Sequence, residues 1–486
     1  MGEYTYNVKR NLSMLTDFYE LTMANGYFEN GFKDQVAYFD MFFRKVPDNG
    51  GFAIMAGLQQ LIEYLENLSF SYEDIEFLRS KNIFSYEFLE YLKNFRFSCD
   101  VWAVPEGTPI FPKEPIITVK GPVIEAQFIE TMVLLCINHQ SLIATKANRI
   151  VRAAKGKDVI EFGSRRAQGF DAAIYGARAA YIGGCSGTAC TASDLYFDVP
   201  AGGTMAHSWV QLFDSELDAF RAYARLYPDE CVLLVDTYST LKSGVPNAIK
   251  IFNEEILPRG FRPKAIRIDS GDITYLSNEA RKMLDENGFE DCKIFVSNSL
   301  NENIIKDMID QDAKVDVFGV GEQLITAASN PVFGGVYKLA AIERDGKVIP
   351  KIKISENASK ITTPGIKEIW RLFNNDTKKA VADVITLYDE VIDDSEHYEI
   401  FDPEHTWKKK TITNFTAKKL RVKIFENGQK CYESPSIDEI KSYCKDQLDM
   451  LWPEIKRLQY PYKYYVDLSM DVWRQKRQLI IKNMMS

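Results

Sequence analysis

Histidine is scarce in this chain of 486 residues: only positions 139, 207, 397 and 405 carry it. Cysteine is present but never paired as CxxC; the eight stand at 99, 136, 185, 190, 231, 292, 431 and 444. No zinc knuckle can be built on that spacing. Cys136 and Cys231 sit in apolar runs, where free thiols pack as small hydrophobes in a reducing compartment. Long apolar runs are also missing, since stretches such as Met132–Ile137 fall far short of the ~18–20 residues a membrane span needs. The start, MGEYTYNVKR, has no apolar signal-peptide core, and Tyr6 departs from the myristoylation pattern. An excess of positive charge is absent too: 59 basic against 68 acidic residues leave −9, which argues against nucleic acid as a partner. Gly and Pro, 28 and 18 residues, are too few for a disordered or collagen-like chain. The expectation is a cytoplasmic enzyme of two to four domains with no membrane partner.

The apolar residues that are there fall into patterns. Leu12, Leu15, Tyr19 and Met23 recur at helical spacing, with Asn25-Gly26 as the expected stop. Residues 97–123 are punctuated by Pro and Gly and rich in Val and Ile, a texture of short strands and turns. Residues 124–154 read as one long helix, apolar over much of its circumference and so buried between layers. In the middle third, short runs recur: VIEFGSRR at 159, AYIGGCSGT at 180, GTMAHS at 203, CVLLVDT at 231, AIRIDSGD at 265, KIFVSNSL at 293, VDVFGVGE at 315 and GGVYKLAAI at 334. Helical patterns lie between most of them, for example Phe170, Ile174, Ala177 and Tyr181 on one face. Such alternation predicts a parallel α/β sheet. Seven or eight units suit a (β/α) barrel better than an open doubly wound sheet. Beyond Ile342 the texture turns mixed and charged, and KSYCKDQLDMLWPEIKRL reads as an amphipathic helix.

The runs end in polar residues or glycine, and in a parallel barrel those ends share one rim, where such folds place their chemistry. Ser, Thr, Asp and Asn at these positions can also be plain helix caps. His207 follows Gly202-Gly203-Thr204-Met205-Ala206 and could serve as general base, metal ligand or nucleophile; no second ligand stands at metal spacing. His139 reads as a buried, hydrogen-bonded helix histidine. Asp269-Ser-Gly-Asp272 offers two carboxylates that could hold ribose hydroxyls, bind Mg²⁺ or stabilise a cationic sugar. Gly319-Val-Gly321, followed by Glu322, resembles an anion-binding turn. Arg165, Arg166 and Arg267, with Arg149 and Arg178 nearby, suit carboxylate or phosphate ligands; helix-dipole or intersubunit ion pairs are the alternative. Lys338 suits a salt bridge within the barrel better than a Schiff base. Tyr19 and Phe162 are placed to stack on a planar ring.

LTDFYELTMANGYF, EFGSRRAQGFDAAIYGARAAYIGG, GGTMAHS, LLVDTYST, IRIDSGD and GGVYKL, in that order, resemble nicotinate phosphoribosyltransferases. The likeness runs from about Leu15 to Ala340 and continues more thinly through KITTPGIKEIW. The resemblance implies an α/β fold: an incomplete parallel barrel of the type II phosphoribosyltransferase kind over residues 136–345. Beside it would stand an α/β sandwich from residues 1–135, completed by C-terminal segments, with a C-terminal α+β region over 346–486. It implies that nicotinate and phosphoribosyl pyrophosphate give nicotinate mononucleotide and pyrophosphate in NAD biosynthesis. Mg²⁺ would assist, and ATP hydrolysis would be coupled through a phosphohistidine at His207. Nicotinate contacts would fall on Tyr19, Thr204 and Arg267, and the assembly would be a homodimer. Two departures are evident: Glu322 stands where some members carry threonine, so no phosphate contact is transferred there. The spacing of Cys431 and Cys444 gives no metal module. Asp269 and Asp272 are expected beside the anomeric carbon, with Asp236 as the group that orients His207. The alternatives are a nicotinamide phosphoribosyltransferase, a quinolinate enzyme with a denser cationic pocket, or a non-catalytic nucleotide-binding relative.

Overall fold

The computed structural model describes residues 10–357 and 360–484; the opening nine residues, where the signal-peptide and myristoylation patterns were sought, lie outside them. The chain forms two compact units. One combines the residues up to Leu142 with those from Val332 onward, and the other is the continuous segment Ile143–Pro331.

The continuous unit is built on a parallel sheet. Its strands are β1 (Asp158–Glu161), β2 (Gly187–Thr188), β3 (Val232–Leu234), β4 (Ala265–Ile268), β5 (Lys293–Asn298) and β6 (Val317–Val320), in the spatial order β2-β1-β6-β5-β4-β3. β-Branched runs without alternation are what a sheet covered on both faces requires, and Ile266, Ile268, Ile294, Val296, Phe318 and Val320 are fully buried. The register sets Arg267 opposite Phe295 and Ser297 opposite Gly319. All five pairings are parallel, so every strand delivers its C-terminal end to the same edge.

Six strands stand where seven or eight were expected. GTMAHS is not a strand: the chain makes one bridge, Thr188 to Ala201, and then leaves the sheet. With Met205 as its single large apolar side chain, it has little to bury against a sheet, and His207 instead opens the short helix His207–Leu212. In AYIGGCSGT the first residues end the helix Phe170–Ile182, which buries Ile174, Ala177 and Tyr181. GGVYKLAAI does form a strand, Gly335–Arg344, but it pairs antiparallel in the other unit.

In that other unit a seven-stranded sheet contains Val36–Phe43 as an interior strand, which pairs antiparallel with Gly335–Arg344 on one side and Ile117–Pro122 on the other. N-terminal and C-terminal segments thus share one sheet. A second, four-stranded sheet places Lys367–Asn374 and Ala380–Leu387 side by side. The first helix, Phe18–Glu29, begins after Leu12 and Leu15 and runs through Asn25-Gly26. A single glycine costs a helix interior about 1 kcal/mol without stopping it, and the chain turns out at Asn30, whose N–H returns to the Gly26 carbonyl. The long helix expected over 124–154 is two, Val123–Phe128 and Glu130–Ala153, broken at Ile129. The run Val123–Ala153 has the length and composition of a membrane span, yet 67% of its most apolar window is buried inside the protein, so it is a core helix. KSYCKDQLD lies on the helix Ile437–Asp449, started by a reciprocal Ser436–Glu439 cap.

This unit also buries charge. Arg371 forms a two-pronged pair with Asp383 at 2.8 and 2.7 Å, and the Tyr464 hydroxyl donates to the same carboxylate at 2.8 Å. Glu114, buried beside them, accepts the Phe111 N–H at 2.8 Å. Burial, and then the Asp383 carboxylate, push Glu114 well above the usual carboxylate range.

Candidate active site

At the C-terminal edge of the parallel sheet the strand ends β1, β3, β4, β5 and β6 bring their polar residues forward. Arg267 and Asp269, two apart on an extended strand end, point to the same side, and Arg267 Nη2 donates to Asp269 Oδ1 at 2.9 Å. Its Nε donates to Ser297 Oγ at 2.9 Å, and Nη1 reaches Thr204 Oγ1 and the Met205 carbonyl at 3.4 Å each. The guanidinium lies 5.5 Å from the Phe162 ring centre and 5.8 Å from that of Phe295, within cation–π range. A cation only 12% exposed is therefore held in one plane by a carboxylate, a hydroxyl and two rings.

Asp269 is more than a counterion. Its Oδ1 also accepts the Ser297 hydroxyl, and its Oδ2 lies 3.8 Å from His207 Nε2. Burial works to raise the Asp269 carboxyl, but the Ser297 hydroxyl, Arg267 and His207 outweigh it and hold it below the usual range. It stays ionised through the neutral range. His207 Nδ1 sits 3.1 Å from the Thr237 hydroxyl. Asp236 does not touch the imidazole, contrary to the expectation from sequence. Its Oδ2 accepts the Asp269 N–H at 3.0 Å and the Ser270 hydroxyl at 2.6 Å. That fixes the turn from which Asp269 projects. The other oxygen, Oδ1, is buried and finds no hydrogen-bond partner among the described residues. Asp272 caps the helix Ile273–Glu286, accepting the Tyr275 N–H at 3.1 Å.

Beside this cluster Ser164, Arg165 and Arg166 form one 3₁₀ turn, with both arginines exposed. Arg166 Nε is 4.0 Å from Glu322, which also accepts the Ser299 hydroxyl at 3.4 Å. The expected anion-binding turn has little helix behind it, since Glu322–Ile325 is a single turn. Gly319 serves packing: a methyl there would stand 2.8 Å from the Phe295 ring and 3.1 Å from that of Phe162, whereas one at Gly321 would meet only a carbonyl at 3.4 Å. Phe162 and Phe295 pack at 5.3 Å between centres and line, with Thr204, a cavity of about 700 Å³ that reaches the opposite edge of the sheet, where the first strand residues Val232, Ala265 and Val317 and the charged Glu230, Arg262 and Lys293 complete its wall. Below the rim, buried Glu161 accepts the Gly163 N–H and the Thr188 hydroxyl, joining the ends of β1 and β2.

Tyr19 belongs to the other unit. It is exposed in the first turn of the helix Phe18–Glu29, and burial around its hydroxyl together with Glu130 raises its pKa. Lys338 donates to that Glu130 at 3.1 Å, a salt bridge on the antiparallel sheet rather than inside a barrel. Burial keeps His139 neutral, with its pKa pushed down to about 4. Thr237 and Ser297 were visible in the sequence only as strand-end residues. Nothing in their local spacing distinguishes a hydroxyl that holds a neighbouring imidazole or guanidinium from one that caps a helix.

A cation, an ionised carboxylate and an imidazole gathered at the C-terminal edge of a parallel sheet form the kind of site that α/β enzymes place there. The family models for the nicotinate phosphoribosyltransferase (NAPRTase) N-terminal domain and the nicotinate phosphoribosyltransferase C-terminal domain match residues 14–138 and 366–476. Over 473 residues the chain is 46% identical to the nicotinate phosphoribosyltransferase of Bacillus subtilis (strain 168), covering 97% of this chain and 95% of that one. Identity to a nicotinate phosphoribosyltransferase of Mycobacterium tuberculosis (strain H37Rv) is 39%, over 94% and 91% of the two chains. The crystal structure of human nicotinic acid phosphoribosyltransferase superposes with a TM-score of 0.83 at 28% identity, over 96% of this chain and all of that one. The chain belongs to the nicotinate phosphoribosyltransferase family.

Proposed function

We propose that this protein is a nicotinate phosphoribosyltransferase of NAD biosynthesis. It would join nicotinate to phosphoribosyl pyrophosphate and couple the reaction to ATP through a phosphohistidine. The observation that carries the reading is the meeting of Arg267, Asp269 and His207, from separate segments, at one edge of the sheet. In this reading the nicotinate ring nitrogen attacks C1 of the ribose, the C1–O bond breaks, and pyrophosphate leaves with the electron pair. Positive charge develops on the sugar ring, and an ionised carboxylate held in place, Asp269, is the group to stabilise it; Asp272 is the second candidate. Nη1 of Arg267 and the Thr204 hydroxyl offer donors for the nicotinate carboxylate, next to an aromatic-walled cavity. Arg165 and Arg166, beside Gly319 and Gly321, are the exposed cations suited to phosphate groups, and Tyr19 is kept as a nicotinate contact.

For the ATP half, a neutral imidazole attacks the γ-phosphorus, the P–O bond to ADP breaks, and water later hydrolyses the N–P bond. In this reading the Thr237 hydroxyl, 3.1 Å from Nδ1, accepts a hydrogen bond from the proton held there and leaves the lone pair on Nε2, and the Asp269 carboxylate 3.8 Å from Nε2 stabilises the positive charge the ring gains. Mg²⁺ would neutralise phosphate charge. No group of three or more His, Cys, Asp or Glu that could hold a metal exists among the described residues, so the residues do not form a protein cage. The fit is to an ion carried on substrate phosphates, with the unpartnered Asp236 Oδ1 as the available protein oxygen. The same reading takes the parallel sheet as an incomplete barrel, the antiparallel unit as the sandwich, and the enzyme as a cytoplasmic homodimer.

The test is product formation from nicotinate, nicotinamide and quinolinate in parallel, with and without ATP, beside labelling with γ-labelled ATP. Turnover of nicotinate, and an acid-labile label lost in His207→Ala, are expected. Preference for either rival substrate, or full labelling of the variant, would overturn the reading.

A further inference from the structure

Among the described residues the imidazole of His207 faces Asp269 at Nε2 and Thr237 at Nδ1. We infer that Thr237 is the positioning residue for His207, its hydroxyl fixing the ring plane and holding the Nδ1 proton so that Nε2 attacks phosphorus; this rests on the phosphohistidine reading above.

His207 opens a helix of only six residues, which gives its side chain little support of its own. Direction has to come from outside. Asp269 Oδ2, 3.8 Å from Nε2, is too far for a hydrogen bond and acts by charge. Among the described residues the Thr237 hydroxyl, 3.1 Å from Nδ1, makes the one hydrogen bond to the ring. The hydroxyl, able to donate or accept, accepts from Nδ1–H, and this leaves the lone pair of Nε2 free to attack. Thr237 therefore sets the plane and the proton, and Asp269 supplies the charge that steadies the ring once Nε2 is phosphorylated.

A positioning hydroxyl is useful only if its own backbone is fixed, and here it is. Thr237 follows β3, and the Val235 N–H is bonded to the Arg267 carbonyl at 3.0 Å. After Tyr238 the chain enters a π-helical turn, Thr240–Gly244. The Ser239 carbonyl accepts the Ser243 and Gly244 N–H groups at 3.0 and 2.9 Å. That turn folds back so closely that a methyl on Gly244 would stand 1.8 Å from the Val235 carbonyl oxygen; no other residue fits. Thr237 is thus anchored on both sides, to the Arg267 strand before it and to the turn after it. Asp236, immediately before it, is anchored by the Asp269–Ser270 turn.

The experiment compares wild type, Thr237→Val and Thr237→Ser. Valine keeps the shape and removes the hydroxyl, and serine restores it. The first readout is the rate at which γ-labelled ATP labels the protein, taken with the ATP concentration at half-maximal rate and the melting temperature. Losing one orienting hydrogen bond should slow labelling about tenfold in the valine variant, with half-saturation and melting temperature little changed; serine should recover it to within about twofold. The second readout does not depend on phosphorylation: ¹⁵N spectra of histidine-labelled protein, with His207→Ala to assign the signal. Wild type should show one neutral tautomer, protonated at Nδ1, and the valine variant an averaged pair. Labelling of Thr237→Val at the wild-type rate, or equal losses in the valine and serine variants, would overturn the inference. Should wild type take no label, the phosphohistidine reading fails, and an unaltered His207 ¹⁵N signal in the valine variant would then overturn the positioning role separately.

Discussion

Replacing Arg267 by glutamine separates the ion pair with Asp269 that the structure shows from the nicotinate contact proposed above. Its Nη2 and Nε are committed to Asp269 and Ser297, while Nη1, at 3.4 Å from Thr204, is weakly engaged and free to turn to a ligand. A charge-assisted hydrogen bond to a substrate carboxylate contributes roughly 1.5–3 kcal/mol. At 1.4 kcal/mol per decade this is about 10- to 150-fold in kcat/KM. Nicotinamide, without the carboxylate, loses much less. The acid-to-amide ratio should therefore narrow by about an order of magnitude or more. Loss of the Arg267–Asp269 pair is a second, independent effect. A partly buried pair of this kind contributes ~1 kcal/mol, or about 2–4 °C in the melting temperature of a unit this size. It also acts on Asp269, whose carboxyl the guanidinium helps to hold below the usual range. Without it the proton binds at higher pH, so the acid limb of the kcat/KM profile should move upward. The assay is kcat/KM for both substrates across pH 5–8, with melting curves on the same preparation. An unchanged acid-to-amide ratio refutes the argument, whatever happens to stability.

Glu114→Gln should stabilise the antiparallel unit at pH 8. The folded carboxyl is pushed up by burial and Asp383, the folded state holds its proton more tightly than the unfolded one, and wild-type stability falls as pH rises above the unfolded value. The variant should lack that share of the fall in melting curves from pH 5 to 8; a lower melting temperature than wild type at pH 8 would contradict it. Asp272→Ala should cost about 1 kcal/mol through loss of a helix cap, and Asp272→Asn little. The Asn variant thereby isolates the charge. With Asp272 in the proposed transition-state pair its kcat falls while its melting temperature stays, and a native kcat would confine Asp272 to the cap.

The parallel strands were legible because a strand buried on both faces writes itself as a β-branched run, as in VLL, AIRI and VFGV. GGVYKLAAI has the same texture, and nothing local says that its partner lies near residue 40, so it read as part of the same sheet. GTMAHS borrowed its strand reading from its neighbours' rhythm. Arg267 and Asp269 were readable as a same-side pair from strand alternation alone. The orienter of His207 was not. Asp236 and Thr237 are adjacent, both polar, and point different ways at a strand end, where alternation stops and only the turn that follows decides which one meets the imidazole.

The interior strand Val36–Phe43 waits for a partner made much later: Gln35 and Glu343, at the margin of that pairing, are 308 positions apart. At ~5–20 residues per second, a ribosome needs about 15–60 s to cover the distance. The unit Ile143–Pro331 is continuous and is complete before Gly335 is translated, so the site-bearing half can fold on the ribosome while the other half lacks a strand. Throughout that interval the apolar segment VAYFDMFF has one hydrogen-bonding edge open. The continuous unit has no such interval, because all its strands lie within one uninterrupted stretch of chain.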